Sequence, residues 1–141
     1  MDIRESEFFK ELLSMFKMES TEHIQTMLTG LDNLEKHANT PKQLEIAEIV
    51  HRSAHSLKGA ARTIGLSDME APCQSLELNF SQLKREKTAI PPELFALFRQ
   101  AVNKLGVLLA SINENGKVVE DKSELVRLVE EINSKMATLN K

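Results

Sequence analysis

The chain has 141 residues with 41% hydrophobic and 28% charged side chains, enough apolar content for one domain with a real core. Five Gly and four Pro exclude collagen-like and low-complexity classes, and one Cys excludes an internal disulfide or multi-cysteine zinc framework, as suits a reducing compartment. A net charge of −3, no Trp or Tyr, and no apolar run near membrane-spanning length argue against nucleic-acid or membrane partners, so the expected location is cytoplasmic.

Apolar residues recur at steps of three and four throughout, which predicts an all-α protein. The first helix, over 4–37, carries Phe9, Leu13, Phe16, Ile24, Met27 and Leu31, with Ser20 in the one gap and a weak Ser20-Thr21 stretch where it could bend. After Asn39-Thr40-Pro41, a second helix over 42–64 carries Ala47, Val50, Ala54, Leu57, Ala61 and Ile64. Gly65 supplies its C-terminal cap, and Ser67 with Glu70 reads as a capping box opening the third helix, 68–87, with Met69, Cys73, Leu76, Phe80 and Leu83 inward. Pro91-Pro92 opens the fourth, 92–113, on Leu94, Phe98, Ala101, Leu105, Leu108 and Ile112. Asn113, Asn115 and Gly116 break it, and Asp121 with Glu124 caps the fifth, 121–139, on Leu125, Leu128, Ile132, Met136 and Leu139. Short connections make an up-and-down antiparallel bundle, a four-helix core plus a fifth C-terminal helix, spanning 1–141 as a single domain and monomeric.

One position past the core stripe, the second helix carries His51, His55, Lys58 and Arg62, and the third carries Glu70, Gln74, Glu77 and Ser81. A hairpin turning near residue 66 sets position n opposite roughly 132 − n, which places His55 against Glu77 and Lys58 against Gln74. No acidic residue falls between Glu48 and Asp68, so Arg52, Lys58 and Arg62 form a cationic island around His51 and His55, suited to an anion such as phosphate. Gly59 is a mid-helix glycine one turn from His55, costing about 1 kcal/mol of helix propensity and leaving room for close approach to the imidazole.

The bland readings stand beside these. A rim histidine is by default solvated or packed, His23 and His37 among them, and Cys73 on the core stripe is buried and inert. Met15, Met18, Met27, Met69 and Met136 are core fillers or partner-face residues. His51 and His55 could be half of a metal site, but Arg52 stands where H-E-x-x-H has its glutamate and no third ligand is evident. No metal or cofactor is expected.

Ala54-His55-Ser56-Leu57-Lys58-Gly59-Ala60-Ala61, followed by Thr63-Ile64-Gly65-Leu66, resembles the H-x-x-K-G signature of histidine-containing phosphotransfer (HPt) domains, in the version found in chemotaxis histidine kinases. The likeness extends to a long first helix opening near Asp2-Ile3 with Phe8-Phe9, to Glu77 and to a closing fifth helix. The resemblance implies a phosphoacceptor at His55, a supporting lysine at Lys58, a space-clearing glycine at Gly59 and an imidazole-orienting carboxylate at Glu77. Gln74, standing where many chemotaxis members carry a second histidine, is expected to join Lys58 and Glu77 in supporting the imidazole and phosphoryl group, and Arg52 and Arg62 would form a positive rim. The implied partners are the ATP-binding domain of a histidine kinase, as donor, and a response-regulator receiver aspartate, as acceptor. With no Gly-rich phosphate loop or kinase motif the chain would be a transfer module and not an enzyme in isolation. It could stand free or be the N-terminal part of a longer kinase, and the competing reading is a non-catalytic helical adaptor.

Overall fold

The computed structural model describes residues 3–139, with side chains from Glu7 onward. The expectations at Asp2, at the Ile3 side chain and for the last two residues lie outside that description. Five helices follow in order: α1 (Ile3–His37), α2 (Gln43–Thr63), α3 (Ser67–Leu83), α4 (Pro92–Ala110) and α5 (Ser123–Thr138). α1 packs on α2 and α4, and α2 on α3, while α5 lies across both α3 and α4. The fifth helix thus fills the seam where α3 and α4 meet least.

Nearly every residue of the five apolar stripes is buried in one continuous core, centred on Met27, Leu31, Leu57, Leu76, Phe80, Phe98 and Leu105. Phe80 and Phe98 meet at a ring-centroid distance of 5.1 Å, joining α3 to α4. Phe9, Ile64 and Leu139 are only partly buried because each lies near the end of its stripe.

α1 runs unbroken for 35 residues, about 50 Å at 1.5 Å per residue. The expected weak point does not interrupt it. Ser20 is buried, and the Thr21 hydroxyl donates back to the Lys17 carbonyl at 2.7 Å. Its first turns do not hang free either. Phe9 rests against Gly116, where a Cβ would lie 2.6 Å from the ring, and Lys17 Nζ donates to the Ile112 carbonyl at 2.5 Å. The α4–α5 connection is therefore a strap. Ile112 bridges Val118, Asn113 Oδ1 accepts from the amides of Asn115 and Lys117, and Gly116 turns the chain at φ +76°. This local hairpin stops α4 at Ala110, three residues before the expected end.

Gly65 closes α2 at φ +79°, with its own N–H donating to the Arg62 carbonyl (3.1 Å) and that of Leu66 to Ala61 (2.8 Å). That is a Schellman motif with its apolar contact, since Ala61 and Leu66 are both buried. The capping box expected next to it does not form. Leu66 is the N-cap of α3, its carbonyl already accepts from Met69 and Glu70, and the Glu70 carboxylate is drawn away to Arg62. At α5 the cap is shifted: Asp121 accepts from the N–H and hydroxyl of Ser123, at 3.0 and 2.9 Å, and the helix begins at Ser123.

α3 stops at Leu83, four residues early, for a reason outside its own sequence. Buried Gln43 at the start of α2 donates to the carbonyls of Leu83 (2.8 Å) and Glu86 (2.9 Å), satisfying groups that a helix end leaves open. Asn79 and Asn133, 2.8 Å apart, tie α3 to α5.

Two helical glycines invite opposite outcomes. A Cβ on Gly30 would lie 2.4 Å from Cγ2 of Val50, a stiff and fully buried side chain, whereas a Cβ on Gly59 would meet nothing within 4 Å. Gly30→Ala should destabilise the chain by about 1–3 kcal/mol from overpacking, even after its gain in helix propensity. Gly59→Ala should stabilise it by up to about 1 kcal/mol. Urea melts of the two variants check the signs.

Candidate functional site

The site lies on the outer edge of the α2–α3 hairpin, where the inner faces of both helices are fixed by core residues such as Leu57 and Leu76. The antiparallel register brings three pairs face to face: Glu48 with Lys84, His55 with Glu77, and Arg62 with Glu70. His55 Nδ1 stands 2.8 Å from Glu77 Oε1, within the span expected from the register. A carboxylate can only accept, so in the neutral ring Nδ1 carries the proton and Nε2 keeps its lone pair.

Lys58 does not face Gln74. Its Nζ lies 2.6 Å from Glu77 Oε2, a close ion pair. Side chains lean toward the N-terminus of their own helix, so on antiparallel helices Lys58 and Glu77 lean toward each other and meet at the level of His55. Gln74 is exposed and makes no side-chain hydrogen bond among the described residues, so it takes no part in the network.

Burial grades the group by role. The side chains of Glu77 and Lys58 are only 13% and 12% exposed, while that of His55 is 63% exposed. Burial works against a charge on Glu77, but Lys58 and His55 outweigh it and hold the carboxyl below its ordinary range. The imidazole is thus held from beneath and open above.

The cationic island is not a free field. Arg52 pairs with Glu48 at 3.2 Å, Arg62 with Glu70 at 2.7 Å, and Lys58 with Glu77. The acid-free window in the sequence concealed this, because two of the three carboxylates come from the facing helix. Both arginines are well exposed, and exposed pairs of this kind contribute only about 0–1 kcal/mol.

Two residues to which the resemblance gave no role, His51 of the polar stripe and Lys84, join the site. His51 Nε2 lies 4.0 Å from the same Glu77 oxygen that His55 binds, and its Nδ1 lies 3.3 Å from Lys84 Nζ. Lys84 in turn sits 2.8 Å from Glu48 Oε2. The register rule pointed to Lys84 opposite Glu48, but the residue lies beyond the polar stripe read along α3. Cys73, buried behind the site, has its thiol pushed up to about 12 by burial and is inert. Among the described residues no group of three His, Cys, Asp or Glu could hold a metal ion.

The surface around His55 is not a pocket. A groove of about 520 Å³ runs between α1 and α2 around Gly30 and does not include the ring. No helix among the described residues is long and apolar enough to cross a membrane.

The chain is 29% identical over 115 residues to "Chemotaxis protein CheA" of Bacillus subtilis (strain 168), covering 82% of this chain and 17% of that protein. It is 24% identical over 115 residues to the protein of the same name from Listeria monocytogenes, covering 82% of this chain and 18% of that protein. The chain thus spans less than a fifth of these relatives. The fold matches the phosphorylated P1 domain of CheA3 from R. sphaeroides, solved in complex with CheY6, with a TM-score of 0.77 at 17% identity over 92% of this chain and 98% of that one. Residues 11–107 match the family model described as Hpt domain, and the chain belongs to that family of helical phosphotransfer modules.

Proposed function

We propose that this single domain is a phosphorelay carrier: His55 accepts a phosphoryl group from the ATP-binding domain of a histidine kinase and donates it to a receiver aspartate. The observation that carries this reading is the division of the imidazole, with Nδ1 bound to a half-buried carboxylate and Nε2 on a largely exposed ring without a protein partner among the described residues.

Glu77 fixes the tautomer and makes Nε2 the better nucleophile. The Nε2 lone pair attacks the γ-phosphorus of ATP held by the kinase, the N–P bond forms, the P–O bond to ADP breaks, and ADP leaves with the electron pair. In the return step a receiver carboxylate oxygen attacks phosphorus and the N–P electrons go back to Nε2. With no Gly-rich phosphate loop or kinase motif in its sequence, it acts in this reading as the carrier, and the kinase domain as the catalyst, of the first step.

Lys58 supports the reaction through Glu77, whose charge it balances. Arg52 and Arg62, held only by weak exposed pairs, are free enough to turn toward phosphate and offset its charge. Gly59 leaves open space one turn from the ring, where an in-line acceptor must come close. The likeness in fold to a P1 domain solved with CheY6 supports a receiver as acceptor.

His55→Gln should abolish acid-labile, alkali-stable phosphorylation by a CheA-type kinase domain with labelled ATP, while circular dichroism shows unchanged helicity. Label at the wild-type level would move the assignment to His51, and an unlabelled wild type would favour the adaptor reading. Gly59→Leu should keep the fold and slow transfer to a receiver by roughly tenfold or more, since about 1 Å of misplacement can cost a hundredfold. Transfer at the wild-type rate in single-turnover measurements would refute the access role of Gly59.

A further inference from the structure

Resting on the reading of His55 as the phosphoacceptor, we propose that Lys84 and His51 form a positioning pair: Lys84 donates to His51 Nδ1 and so keeps that ring neutral, leaving no second cation to compete with His55 for Glu77 Oε1. Neither residue touches the reacting phosphoryl group.

The argument starts from what an ammonium can do. Lys84 has three donors and no acceptor, so the ring nitrogen 3.3 Å from it must be unprotonated. Neutral His51 then carries its proton on Nε2, which faces Glu77 Oε1 from 4.0 Å, beyond hydrogen-bond range. His55 holds the same oxygen at 2.8 Å. In this state the contest for Oε1 is decided for His55.

Protonation of His51 would reverse the balance. A full positive charge would then sit within reach of Oε1, and rotation of the ring or carboxylate would close the gap at the expense of His55 Nδ1. The titratable and charged groups that face His51 are Glu48 and His55 from α2, Glu77 from α3, and Lys84 just past the end of α3. Burial, then the charge on Lys84, lower its proton affinity, against the opposite pull of Glu48 and Glu77. Lys84 is anchored for this task by its 2.8 Å contact with Glu48, and its side chain is largely buried.

The geometry makes Lys84 matter to His55 only through His51, which a double-mutant design can test. In the full chain labelled with 15N-histidine, long-range 1H–15N spectra at about pH 7.5 should show His51 as the Nε2–H tautomer. Lys84→Met should turn it into a tautomer mixture with a higher titration midpoint. With a CheA-type kinase domain and labelled ATP, Lys84→Met should slow phosphorylation of His55 about threefold to tenfold near pH 6.5, with a smaller loss at higher pH. In the His51→Phe background the same Lys84→Met change should have no further effect.

An Nδ1–H tautomer of His51 in the wild type overturns the proposal. So does a Lys84→Met defect that persists undiminished without His51, and so does an unchanged phosphorylation rate in the single variant. Circular dichroism of each variant separates these results from unfolding. The tautomer spectra need no phosphotransfer, whereas a wrong acceptor assignment shows itself as label surviving in His55→Gln.

Discussion

The site depends on one carboxylate kept charged at the edge of a hydrophobic core. Burial of Glu77 alone would favour its neutral form, which would lose most of its power to orient an imidazole. Lys58 and His55 keep it ionised. Removing either cation or carboxylate would leave a half-buried group without its partner, which is more costly than never having built the pair. Glu77 therefore fixes the tautomer of His55, the position of Lys58 and, through His51, the reach of the network toward Lys84.

That carboxylate is where it is because the hairpin has a fixed register. The Schellman turn at Gly65 and Leu66 sets where α3 begins, and Ala61 and Leu66 are both buried, so the turn cannot slide without uncovering apolar surface. At the other end of the hairpin Gln43 clasps the last carbonyl of α3, at Leu83, and that of Glu86 just beyond it. Between these two fastenings, three charged or polar pairs fall opposite one another.

Much of this was legible in the sequence because it rests on period and punctuation. The five stripes, the break at Gly65, the start at Pro92 and the pairing of His55 with Glu77 each follow from helical spacing or from counting across a turn. What escaped is what depends on distant chain segments or on side-chain lean. Gln43 could not be linked to α3, because its partners are backbone carbonyls about forty positions away. Lys58 was assigned the wrong neighbour because counting Cα positions ignores the tilt of side chains toward helix N-termini. The positive island looked unopposed because a window along one helix does not see Glu70 and Glu77.

The close approach of Gly30 to Val50 has a consequence for how α2 can behave. One side of this helix is locked against α1 with no slack for a single methyl group, and its other side carries His55. A helix so wedged cannot slide or roll to present its imidazole. Any partner must bring its reactive group to a fixed post, and the same small patch of ring serves every visitor. On the proposed reading, donor and acceptor must therefore take turns at the same ring.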